Sequence, residues 1–234
     1  MKKKIPISLC ILMLFQSFTF SQGKKEEDPF ARATRYFFQK KFEMAEVLFQ
    51  EVIKKDPENA LAYSYLGDIL LKKRQYDGAM NLYQRAIDIN PDMAENYFRL
   101  GQIHYYKKNG ELAIEFFNKT LVKNEKIKIA YYHRGLAYLM LMRDKEKTIE
   151  NWETYIRLVP EDPQYDSIKR VIELLKDPKF KLPGPDSKIS IEEALLLGGS
   201  TLDIQDREAE NKKAGHESKK SKDTIENIYM DDDL

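Results

Sequence analysis

The sequence repeats itself every 34 residues. Tyr63, Leu66, Gly67, Tyr76, Ala79, Tyr83, Ala86 and Pro91, moved forward by 34, fall on Tyr97, Leu100, Gly101, Gly110, Ala113, Phe117, Thr120 and Glu125. Moved back by 34, they fall on Pro29, Arg32, Ala33, Phe42, Ala45, Phe49, Val52 and Pro57. A fourth copy starts at Lys128 with Tyr131, Gly135 and Tyr138, and one inserted residue brings Trp152, Tyr155 and Pro160 into step. A period of this length belongs to stacked supersecondary units, each too small to bury its own apolar face. The small residues indicate how such a unit is built. Gly67, Gly101 and Gly135 lie within helical periodicity, where Gly costs about 1 kcal/mol against Ala. Close contact between two helices offsets that cost, with Ala45, Ala79 and Ala113 as the facing flat spots. Pro57, Pro91 and Pro160 stop the second helix and turn the chain into the next unit.

This order of residues (an aromatic, Leu-Gly, Tyr, Ala, an aromatic, Ala, Pro) resembles the tetratricopeptide repeat (TPR). The resemblance covers about Glu26 to Asp162 in four copies, at about 26–59, 60–93, 94–127 and 128–162. The second copy matches at nearly every position. The first has Arg32-Ala33 in place of Leu-Gly, the third ends in Asn124-Glu125, and the fourth has Arg134 where Leu is expected. The resemblance implies an all-α, right-handed superhelix of four helix-turn-helix repeats. The stretch PQYDSIKRVIELLK carries Ile168, Val171, Ile172 and Leu175 at helical spacing. It resembles the solvating helix that closes such a stack, so a capping helix is expected over 163–177 and a TPR domain over 26–177.

From residue 178 the composition changes. Three prolines and a glycine within PKFKLPGPD make an irregular linker. A short amphipathic helix follows at 190–197, with Ser190 and Glu193 as a capping box and Ile191, Ala194 and Leu195 as its apolar stripe. A helix this short is marginal in water, so it is expected to form by docking, either on the same molecule or on a neighbour. Beyond Arg207 the chain is dense in charge and reads as a disordered polar tail ending in Asp231, Asp232 and Asp233.

The N-terminus carries Lys2, Lys3 and Lys4 before a mostly apolar stretch, Ile5 to Phe20, interrupted by Pro6, Ser8, Gln16, Ser17 and Thr19. That pattern reads as a signal peptide over 1–22, cut near Ser21 or Gly23. The expected destination is the periplasm or cell envelope. The alternative is an uncleaved N-terminal helix that anchors the protein to a membrane. Cys10, the single cysteine, follows Leu9 rather than a small residue, which argues against lipidation.

Charge and chemistry narrow the function. Thirty-nine basic residues meet 38 acidic ones, leaving a net charge of +1, without the clustered basic excess of a nucleic-acid surface. His104, His133 and His216 have no metal-ligand spacing. Phosphate loops, nucleophile elbows and dinucleotide fingerprints are missing from the sequence. The reading is of a non-enzyme with no cofactor, no metal and no small-molecule substrate. A protein or peptide is the expected partner.

The family resemblance places the partner on the concave wall formed by the first helix of each repeat. Carried onto this chain, that wall includes Phe30, Thr34, Phe37 and Phe38, then Ser64, Asp68, Leu71 and Lys72. The third repeat adds Glu95, Phe98, Gln102, Tyr105 and Tyr106, and the fourth adds Tyr132, Leu136, Leu139 and Met140. The first helices of repeats one and three are thus apolar nearly all round, as helices buried on both sides are. Expected anchors are Phe30, Phe37, Phe38, Phe98, Gln102, Tyr105, Tyr106, Tyr132 and Met140. Members that clamp a C-terminal carboxylate use basic and amide side chains where this chain has Phe30, Thr34, Tyr65, Glu95 and Arg99. Only Arg99 fits, so a carboxylate clamp is rejected. The expected role is a scaffold or adaptor that binds a peptide or helix in an apolar groove.

Overall fold

A computed structural model of the chain describes residues 27–196; the stretch expected as a signal peptide, Leu197 and the expected polar tail lie outside the described residues. The chain divides into two compact units, one through Pro57 and one from Glu58. In the first unit, α1 (Pro29–Phe38) pairs with α2 (Phe42–Lys55). Asp28 caps α1 by accepting the Ala31 N–H at 3.0 Å, and Pro29 takes the first turn, where a missing N–H is harmless. Ala33, Ala45, Leu48, Phe49 and Val52 make the buried seam, with Phe30 edge-on to Phe49 at 5.9 Å.

The second unit contains α3 (Ala60–Lys72), α4 (Tyr76–Ile89), α5 (Ala94–Tyr106), α6 (Gly110–Lys123) and α7 (Ile129–Ala137). A π-helical turn (Tyr138–Met142) leads to α8 (Lys145–Leu158), α9 (Tyr165–Lys176) and α10 (Ile191–Leu196). Each helix from α3 to α9 packs on the next. The described residues are helices and connections, without a strand. Asn59, Asn109 and Asp144 cap α3, α6 and α8 through their side-chain oxygens.

The glycines sit at close contacts, against rings rather than the expected alanines. A Cβ on Gly101 would lie 2.6 Å from the Phe117 ring, and one on Gly135 would lie 2.5 Å from Trp152. The alanine positions are buried beside them. In the fourth repeat Thr148 takes the alanine position, and its hydroxyl donates to the carbonyls of Asp144 at 2.7 Å and Gly135 at 3.3 Å. The buried hydroxyl is therefore satisfied.

The helix stops do not depend on proline. α6 ends at Lys123, in register with α4 ending at Ile89, although Glu125 replaces the proline. The shared element is an asparagine: Asn90 accepts the Asp92 N–H at 3.1 Å and Asn124 accepts the Lys126 N–H at 3.0 Å. These Asx turns compete with helix continuation.

Each turn inside a repeat holds one basic residue in the left-handed region: Lys40, Arg74, Lys108 and Arg143, with φ of 57, 57, 60 and 57°. Around Arg74, its own N–H reaches Leu71 O at 2.8 Å and the Gln75 N–H reaches Leu70 O at 2.9 Å. These paired closing bonds, and a cation at a helix C-terminus, offset the cost of the left-handed residue. In the fourth repeat the corresponding long bond runs from Asp144 N–H to Tyr138 O, 3.0 Å. It spans one residue more because the inserted residue is absorbed as the π-helical turn.

α9 packs its Ile168, Ile172 and Leu175 face against the fourth repeat, where the capping helix is expected. The linker after it is irregular, as its prolines predict, but it is not free chain: Phe180 and Pro183 are buried.

Candidate partner-binding surface

In the second unit the residues expected on the inner wall lie on α3, α5, α7 and the π-helical turn. The outcome at each residue depends on which neighbour reaches it first. Phe98 and Tyr132, expected as anchors, are each only 2% exposed. The Phe98 ring lies 5.7 Å from Phe117 and 5.1 Å from His133. Tyr132 stacks on Trp152 at 5.6 Å with ring planes 8° apart, and Trp152 Nε1 donates to Tyr132 O at 3.0 Å. Both rings are therefore interior, held between the first helix of one repeat and the second helix behind it. They belong to the core and not to an open wall.

Gln102 belongs to a polar network. Arg99 forms an ion pair with Asp68 at 3.0 Å and donates through Nη1 to Gln102 Oε1 at 3.1 Å. Tyr83 donates its hydroxyl to the same Asp68 oxygen at 2.6 Å. The one residue that suited a carboxylate clamp is thus occupied by an internal carboxylate. Partial burial, and then the charge of Asp68, raise the Tyr65 pKa above its ordinary value.

Tyr105, Tyr106, Leu136, Leu139 and Met140 remain as an apolar group on α5, α7 and the π-helical turn. Tyr106 stacks on Tyr76 at 5.7 Å and meets Tyr105 edge-on at 5.9 Å. Tyr106 and Met140 are half-buried, whereas Tyr105 is 6% exposed. In the same apolar cluster lie Phe180, Ile191, Ala194 and Leu195 of the C-terminal segment. The helix expected at 190–197 is present as α10, started by Ser190, whose Oγ accepts the Glu193 N–H at 3.1 Å. Two cations at the start of α8 hold the linker before it. Lys145 Nζ donates to Phe180 O at 2.8 Å and lies 5.6 Å from the Phe180 ring centre, and Arg143 donates to Pro183 O. Nothing in the sequence marked these two residues as contacts of the linker.

In the first unit Phe37 packs between Phe38 and Phe42, at 5.6 and 5.7 Å, and Phe30 leans on Phe49. Phe38 is 66% exposed, a large apolar side chain open to solvent. The two described histidines serve packing. His104 lies parallel to Phe116, 5.2 Å away, and His133 sits among Phe98, Phe117 and Tyr132. Burial, and then the nearby Lys107, lowers the His104 pKa below its ordinary 6.5, while Glu115 pulls weakly the other way. Among the described residues no cluster of His, Cys, Asp and Glu could hold a metal ion.

The helix pairs, their ring-against-glycine contacts and the capped end define a class: a helical-repeat protein. Family models described as TPR repeat and tetratricopeptide repeat match residues 67–108 and 48–81. The matched stretch, residues 48–108, carries tetratricopeptide repeats. Among solved structures, MamA is similar with a TM-score of 0.57 at 19% identity, over 82% of this chain and 96% of that one. A MamA fragment from Desulfovibrio magneticus RS-1 matches with a TM-score of 0.57 at 21% identity, over 63% and 82%. YrrB, described as a TPR protein with an unusual peptide-binding site, matches with a TM-score of 0.54 at 21% identity, over 61% and 73%. At such identities the likeness is one of fold. No curated protein is similar enough in sequence to count as a relative.

Proposed function

We propose that this chain is a non-catalytic scaffold or adaptor that binds a peptide or helix of another protein on the inner wall of α5, α7 and the π-helical turn. One observation carries the reading: Tyr105, Leu136 and Leu139 of that wall belong to the same apolar cluster as Ile191, Ala194 and Leu195, the apolar face of the short helix α10. An apolar cluster that takes in Ile191, Ala194 and Leu195 has the polarity to receive an amphipathic segment. YrrB, of the same fold, is described as having a peptide-binding site. The anchors are Tyr105, Tyr106 and Met140, with Gln102 at the polar edge and Phe98 and Tyr132 supporting them from behind.

The basic start and apolar stretch of residues 1–22 support export to the cell envelope, the periplasm in a double-membrane bacterium. The alternative is an accessory subunit of an envelope complex, anchored through the same stretch left uncleaved. The intact mass of protein from the native host separates the two, since cleavage removes Met1 to about Ser21.

The binding reading is tested with a photo-crosslinking amino acid at Tyr106 or Met140 in cells. A discrete set of crosslinked proteins is expected at these positions and not at Val122, which is exposed on α6. Tyr106→Ala should weaken capture of that partner by about 1–3 kcal/mol with a small loss of stability. Phe98→Ala should instead lower stability by about 3–5 kcal/mol. Equal crosslinking at Val122 would overturn the choice of surface.

A further inference from the structure

We propose that residues 178–196 are a built-in ligand of the apolar cluster that includes this wall, and that the partner binds by exchange with them, through a segment of the same chemistry. That chemistry is an aromatic anchor, an extended proline-containing stretch, and a short Ser-capped helix with apolar residues at its first, fourth and fifth positions. The inference rests on the inner-wall reading of the function.

The strap has the features of a bound peptide. α10 is six residues long, too short to be stable by itself, so docking is what holds it helical. Its docked face is well covered, with Ile191, Ala194 and Leu195 at 4, 5 and 8% exposure, while Leu196 is 65% exposed. The stretch before it is fixed through its backbone: Arg143 and Lys145 donate to the carbonyls of Pro183 and Phe180. Carbonyl contacts do not read side chains, so a different chain in the same path can make them. Phe180 adds a buried ring under Lys145. These two cations follow the π-helical turn that absorbs the extra residue of the fourth repeat. Such bulges recur at functional sites. The hold is also shallow. Between Phe180 and Ile191 most residues are exposed or half-buried. The anchored pieces are separated by irregular chain, the kind of segment that opens locally at low free energy.

A self-ligand lowers the apparent affinity for a partner by the fraction of time the site is free. The test uses the full chain and, as probe, a fluorescent synthetic peptide with the sequence of residues 178–197. In one variant, Ile191→Asp with Leu195→Asp, the strap's apolar face is removed. The peptide should bind this variant at least about tenfold more tightly than wild type. A peptide carrying the same two aspartates should bind neither. A second variant, Arg143→Gln with Lys145→Gln, leaves the helix face intact and removes the carbonyl contacts. In it, amide exchange over 178–196 should accelerate at least about tenfold while α5 and α7 stay protected. Equal peptide binding to wild type and the Asp variant overturns the proposal, as does undetectable binding to both. Exchange over 178–196 as slow as in α5 in the Gln variant also overturns it. Crosslinking at Tyr106 reads the scaffold function separately: crosslinked partners without peptide exchange would sink the strap alone. Peptide exchange with no crosslinked partner would sink the scaffold reading.

Discussion

At the scale of single residues, the repeat is held by rings seated on glycines. Gly101 has no room for a side chain, because an added Cβ meets the Phe117 ring at 2.6 Å. Phe117 is itself fully buried between α6 and its neighbours, so it cannot swing away. Gly101→Val should therefore lower stability by about 1–3 kcal/mol, read by urea unfolding. An unchanged midpoint would mean that α5 and α6 do not meet there. His104 offers a second test. Burial favours its neutral form, so its folded pKa lies below the ordinary 6.5. Its contribution is present above that value and is lost as pH falls through the folded pKa, where the unfolded chain takes up more protons. The melting temperature should fall from pH 7 to pH 5, and His104→Tyr should flatten part of that fall. An identical pH slope in the variant would remove His104 from the account.

At the scale of elements, the end of the stack decides how much apolar surface is left bare. α9 has a strongly one-sided pattern, and its Ile172 is 3% exposed. It covers the fourth repeat while an ion pair of Lys176 with Glu153 ties its far end to α8. That exposed pair contributes little by itself; the burial is what matters. Ile172→Ala should cost about 2–5 kcal/mol, measured by chemical denaturation. Lys176→Ala should stay within about 0.5 kcal/mol of wild type. A large effect of Lys176→Ala with a small one of Ile172→Ala would reverse this account of the cap.

At the scale of the whole molecule, a repeat protein gains stability from each pair and from its nearest neighbours. The first unit has its own seam around Phe49, and the single tryptophan, Trp152, lies in the second. Phe49→Ala should cost the first pair about 3–5 kcal/mol. The transition followed at Trp152, which belongs to the other unit, should move by less than about 0.5 kcal/mol if the units unfold independently. Helical circular dichroism should then show an early loss that Trp152 fluorescence does not. Coincident shifts in both signals would mean that the chain unfolds as one cooperative block.

The sequence by itself determined the helix pairs. Their period, their glycines, the cap at Ser190, and the one-sided pattern of Ile168, Ile172 and Leu175 are all local signals. The hydrogen bonds and packing of helices obey local spacing. The inserted residue of the fourth repeat was legible as an offset, though its form as a π-helical turn was not. The tertiary structure decided which face met which neighbour. Phe98 and Tyr106 look alike on a helix that is apolar all round, yet Phe98 is sealed against Phe117 and His133 while Tyr106 leans on Tyr76. Arg99 looked free for a ligand and is paired with Asp68. Arg143 and Lys145 carried no signal in the sequence, yet they hold the linker. The physical reason is the same in each case. Periodicity fixes the direction of a side chain about its own helix axis. What covers that side chain depends on elements far along the chain, and no spacing within the helix records them.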